Sequence, residues 1–223
     1  MNNLKNNFST EMKKSYLKYS LFLGISFILT LIGAMCTQFL PEKCNHNVII
    51  LIPLAIIFGF LYTEGVAKKI FFVLFCYIEG LGLGYLCDIY SKGLFLNAIC
   101  ITTIVVILSM ILGFYCKDIS FLGYFLNCSL LIVLVYIVLR MFFYLPSISL
   151  LIVFLFMIFV AYDINKFKLK LKSNNGKLKN DEILNEVMDM YLDVLNILLN
   201  ILDLLKDWFR NWLDFIQSVF FVL

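Results

Sequence analysis

Eight polar residues near the end of the chain fall on a helical period. Glu182, Glu186, Asp189, Asp193, Asn196, Asn200, Asp203 and Asp207 are separated alternately by four and three residues, which places all of them on one face of an α-helix. Between them the chain is mainly apolar, from Ile183 and Leu184 to Leu202 and Leu204. Such a helix has two uses. Lying in the membrane interface it would turn its acids to water, although surface helices usually carry Lys and Arg on that face. Inside a helical bundle its acids would face a cavity, where intramembrane carboxylates mark ion or proton paths. Asp163, in Ala161-Tyr162-Asp163-Ile164-Asn165, ends the preceding apolar run. A helix running back from there carries Asp193 towards the depth of Asp163. Two carboxylates close together in low dielectric do not both ionise readily, so the pair shares a proton and titrates as one unit. Ionised, it offers oxygen ligands to a hard cation; protonated, it closes by a short hydrogen bond.

A further acid, Glu79, stands well inside an apolar run with no cation near it in sequence. It either lines a path or satisfies a structural hydrogen bond. Gly80, Gly82 and Gly84 follow it, and glycines at such spacing permit close helix packing or an irregular backbone beside a cavity.

Helices must carry these acids through a membrane. Of 223 residues, 62% are apolar and only 15% charged, against about 45–50% and 25% in soluble domains. This excludes a soluble enzyme, a disordered chain and a nucleic-acid-binding module. A crossing takes roughly 20 apolar residues, so the length is used up by six to eight spans, with no room for a separate soluble domain. Apolar runs predict spans at Leu21–Leu40, Val48–Tyr62, Ile70–Leu86, Gly93–Tyr115, Ile119–Leu139 and Met141–Tyr162, with a weaker seventh at Ile183–Leu205. They do not alternate as barrel strands do. The predicted fold is an all-α membrane protein with seven transmembrane helices over residues 21–205, a cytosolic segment 1–20 and an interfacial tail 206–223. Trp208 and Trp212, beside Lys206 and Arg210, have the character of an interfacial anchor. With the N-terminus in the cytosol, 13 of the 18 basic residues fall on the inner side, as the positive-inside rule asks.

The cysteines in the apolar runs lack CxxC spacing and companion histidines, and His46 is the single histidine; buried thiols of this kind behave as small apolar side chains. There is no nucleophile and base arrangement, no metal-ligand cluster and no phosphate-binding glycine loop. Neither an enzyme nor a bound cofactor is expected.

Three stretches together resemble the Bax inhibitor-1 family, also called the transmembrane Bax-inhibitor-motif family. They are Lys117-Asp118-Ile119-Ser120-Phe121-Leu122-Gly123, Ala161-Tyr162-Asp163-Ile164-Asn165, and the run from Tyr191 to Leu202. Their order and spacing match over roughly Ser15–Leu205. The resemblance implies a seven-helix bundle with the last helix central, and a pH-sensitive calcium leak gated at an aspartate pair. The matching residues here are Asp163 and Asp193, which would also hold calcium transiently as the permeant ion. Glu79, Asp189, Asn196, Asn200 and Asp203 are candidates for the ion path. One departure stands out: where bacterial relatives can carry an arginine thought to latch the pair, this chain has Lys68 and Lys69, which lack the bidentate fork.

The rival expectation is a membrane-embedded regulator or adaptor, acting in stress, cell death or on a membrane protease without transport activity, its acids purely structural. It predicts membrane protein partners and no ion flux. A proton-coupled transporter ranks last, because the halves show no internal repeat. The expected location is an integral membrane one with the N-terminus cytosolic: the cell (inner) membrane of a bacterium, or an internal membrane such as the endoplasmic reticulum of a eukaryote.

Overall fold

A computed structural model describes residues 2–39, 55–89, 92–143 and 147–220, and among these the regular structure is entirely helical. The helices are α1 (Asn2–Cys36, closed by a 3-10 turn at Thr37–Phe39), α2 (55–62), α3 (Gly65–Ile89), α4 (Lys92–Tyr115), α5 (Leu122–Phe142), α6 (Ser149–Ser173) and α7 (Asn180–Phe220). Four segments are long and apolar enough to cross a membrane: Thr10–Phe39, Gly65–Cys87, Gly93–Tyr115 and Ser149–Ser173; Leu122–Tyr136 is a shorter apolar helix. The first part of the predicted second span, residues 48–54, lies outside the described residues.

Three helices have ends that differ from the ends of the predicted spans. Residues 2–20, read as a cytosolic segment, continue α1 without a break; their Lys, Ser and Met residues are compatible with helix. The predicted sixth span begins at Ser149 rather than Met141 and runs on to Ser173. Pro146 precedes that start, and proline lacks the N–H and the space for a helix interior. Asp163 is therefore internal to α6 rather than at its end. Finally, α7 does not stop at Leu205: its 41 residues span about 60 Å at 1.5 Å per residue, twice the hydrocarbon thickness.

The chain divides into two compact units. The first comprises Met1–Ser91 and Leu169–Tyr191, the second Lys92–Lys168 and Leu192–Leu223.

In the first unit α1 packs on α3 through small residues. A Cβ on Gly80 would strike the Thr30 main chain, one on Gly84 the Ala34 main chain and the Thr37 hydroxyl, and one on Gly33 the Tyr77 carbonyl. Such steps let backbones meet where lipid supplies no hydrophobic drive. Gly82 faces open space, so packing accounts for two glycines of the predicted three. The Thr30 hydroxyl donates to the carbonyls of Ser26 (2.8 Å) and Cys76 (3.2 Å) and lies 2.6 Å from the buried Tyr191 hydroxyl. Phe27 and Phe75 flank the Tyr191 ring. At the α6–α7 turn, Asn175 takes the left-handed conformation (φ 52°) and the Gly176 N–H reaches the Leu171 carbonyl at 2.8 Å, a Schellman closure that stops α6. Ser15 of α1 donates to the Gly176 carbonyl at 2.8 Å and fastens the turn.

In the second unit Gly113 of α4 meets the Ala161 main chain and Gly123 of α5 meets the Tyr162 hydroxyl. Both neighbours immediately precede Asp163 in sequence, so close packing fixes the part of α6 that carries it. Outward faces stay apolar: Ile104, Ile107, Leu108, Ile111 and Leu112 on α4 are exposed, as are Leu131, Ile132, Leu134 and Val135 on α5. Exposed stripes of this kind suit contact with hydrocarbon rather than water.

Candidate functional site

The stripe on α7 divides into segments with different work. Its first member, Glu182, accepts the Lys179 N–H at 3.0 Å, one half of a capping box at the helix start. Beside it Asp181 accepts the Gly65 N–H at 2.8 Å. Both acids stand where the helix dipole favours negative charge. Glu186, buried, is paired at 2.9 Å with Lys170 near the end of α6. Asp189 is exposed. These four, with half-buried Glu79 on α3, belong to the first unit.

Asp163 and Asp193 belong to the second unit and are each 7% exposed. Carboxylates this deep in an apolar protein carry a large desolvation cost unless charge, hydrogen bonds or a proton offsets it. Around Asp193, Val194, Leu195, Ile197, Leu198, Ile201 and Leu202 are core residues, while Leu199 is exposed.

Further along, Asn196, Asn200 and Asp203 line a cavity of about 330 Å³ in the second unit, shared with Ser149 and apolar side chains of α5 and α6. Local bonding fixes how these residues present themselves. Asn196 donates its amide to the Leu192 carbonyl at 2.9 Å, and Asn200 donates to the Asn196 carbonyl at 2.8 Å. With one N–H of each turned back on the helix, each carboxamide keeps its acceptor oxygen and a second N–H for the cavity. One Asp203 oxygen accepts the Ser149 hydroxyl at 2.8 Å and the Ser147 hydroxyl at 3.4 Å. That ties α7 to the start of α6 and fixes the carboxylate. Among the described residues no group of three or more His, Cys, Asp or Glu converges on one point; a cation here would draw on carboxylates, carboxamide oxygens and hydroxyls, the ligand types of hard metals.

Lys68, considered as a stand-in for an arginine latch, is buried with its ammonium 4.7 Å from the centre of the Phe60 ring, a cation–π placement. Two residues of α6 do work that the sequence reading missed. Asn165 donates to the carbonyls of Gly113 (3.0 Å) and Cys116 (2.9 Å) and accepts the Ile119 N–H at 3.3 Å. Lys168 donates to the Phe114 carbonyl at 2.8 Å and to that of Cys116. Together they satisfy the carbonyls left open at the end of α4 and set a positive charge there. The readable signal was a helix ending at Tyr115 with no glycine to close it.

In the following loop Asp118 accepts the backbone N–H (2.8 Å) and hydroxyl (2.6 Å) of Ser120, an Asx turn that starts α5. Those two bonds hold its carboxyl below the usual carboxylate range.

No curated protein matches the sequence. The family described as inhibitor of apoptosis-promoting Bax1 matches residues 11–210, nearly the whole chain and all three motifs. Together with several helices apolar enough to span a bilayer, this makes the chain an integral membrane protein that belongs to the Bax inhibitor family.

Proposed function

We propose that the protein is a pH-sensitive calcium leak channel in which Asp163 and Asp193 form a proton-titrated gate. One observation carries the reading: both carboxylates are deeply buried in the same unit, and the α7 face bearing one of them continues into a cavity with Asn196, Asn200 and Asp203 on its polar wall. From Asp193 to Asp203 is ten residues, about 15 Å along the helix and half the hydrocarbon thickness. Asn196, Asn200 and Asp203 supply oxygen at successive turns over that distance. Calcium is the permeant ion, held briefly by the ionised pair. Low pH protonates the pair and closes the route; higher pH opens it.

The rest of the architecture belongs to the same proposal. It comprises seven spans, a cytosolic N-terminus, the last helix at the centre, lipid as the surrounding partner and no enzymatic activity. The charge distribution and the family resemblance support it, as does the burial of α7. Glu79 and Asp189 remain path candidates of lower rank, one half-buried and the other exposed.

Purified protein in vesicles loaded with a calcium dye tests the reading. Calcium entry above that of empty vesicles, rising between acidic and neutral pH, supports the channel. No entry, with a co-purifying membrane partner, favours the regulator or adaptor.

A further inference from the structure

We infer that the cavity among α5, α6 and α7 of the second unit is a binding site for an organic ammonium with a short hydrocarbon body. Its two walls differ in chemistry. The polar wall holds Asn196, Asn200, Asp203 and Ser149. Both carboxamides spend an N–H on the carbonyl one turn back, and the Ser149 hydroxyl donates to Asp203. Each carboxamide keeps its acceptor oxygen and one N–H, and Asp203 adds a carboxylate; that negative charge selects a donor-rich cation over an anion.

The facing wall is hydrocarbon, formed by Val133, Ile152, Phe156 and their neighbours Leu130 and Leu134. It would take the carbon skeleton of an amine out of water, which is favourable for apolar surface. The Phe156 ring adds an aromatic surface. About 330 Å³ is at the lower end of small-molecule sites, large for one ion and suited to a skeleton of around ten heavy atoms. The cavity is open rather than enclosed, because two of its lining residues, Leu134 and Leu130, are 57% and 39% exposed. An amphiphile dissolved in hydrocarbon can enter there and bring its ammonium to the carboxylate.

Binding does not depend on calcium movement, so it is measured directly, by calorimetry on the full chain in lipid nanodiscs with octylammonium as probe. Saturable one-to-one binding is expected, weakened at least tenfold by Asp203→Asn. Octanol, of equal length and uncharged, should bind at least tenfold more weakly. Ile152→Trp, which fills the apolar side and leaves the carboxylate in place, should abolish the signal and covers the case in which Asp203→Asn does not fold. Equal heats for the parent and both cavity variants would mean partition into lipid alone and would overturn the proposal. So would octanol binding as well as the amine, or calcium alone displacing the amine at equimolar concentration.

Discussion

Lys170 and Glu186 form a 2.9 Å ion pair across the α6–α7 turn, with the lysine side chain 34% exposed and the glutamate only 4%. The glutamate has the spacing of a path-lining acid but serves as a fastener. Removing the lysine alone leaves a buried carboxylate without its cation, which costs about 3–5 kcal/mol when both partners are buried. The partial exposure of Lys170 reduces this to roughly 1–3 kcal/mol. Unfolding of Lys170→Met in mixed micelles should show that loss, and Lys170→Met with Glu186→Gln should recover most of it. Equal losses in the single and double variants would contradict the pairing.

The carbonyls closing α4 give a second expectation. Asn165→Leu leaves the Gly113 and Cys116 carbonyls short of a donor, at about 1–3 kcal/mol for buried groups that lose a partner. Lys168 still reaches Cys116, so the lower half of that range is expected. Asn165→Asp should be worse than Asn165→Leu, because a carboxylate would face those carbonyls. Comparing the two midpoints of unfolding separates a capping role from a space-filling one.

Glycine substitutions should sort by contact rather than by position in the motif. Gly80→Ala and Gly113→Ala drive a methyl into the main chain of Thr30 and Ala161 respectively, and overpacking costs about 1–3 kcal/mol. Gly82→Ala meets nothing and should be neutral or slightly stabilising through helix propensity. Thermal unfolding of the three variants checks the order.

These outcomes also mark what could be read in the sequence. The alternating four and three spacing from Glu182 to Asp207 was legible because a helix has one period wherever it lies. The division of labour along it was not. Glu186 finds Lys170 sixteen residues back, and Asp203 finds Ser149 fifty-four back, distances at which periodicity carries no information. The late start of α6 was readable from Pro146 and was overridden by the hydropathy of its surroundings. Asn165 and Lys168 looked like span-end polar residues, because the carbonyls that need them belong to another helix.

Asp118 offers a control on pH sensing. Its folded-state pKa is lowered by Ser120, so the stability it contributes is fully present above the unfolded value, about 3.9, and is lost as pH falls through the folded value. Ser120→Ala should therefore lower stability at neutral pH and match the parent once the solution is acid enough to protonate Asp118 in both. A pH response of calcium entry near neutrality must come from other groups, and Ser120→Ala should leave it in place.

The gate itself is tested by calcium entry into vesicles measured across pH for the parent, Asp163→Asn, Asp193→Asn and the double variant. If the two carboxylates titrate as one unit, each single change should remove the pH dependence, and the double variant should add little to either. A pH profile in Asp193→Asn that matches the parent in both amplitude and midpoint would contradict the assignment.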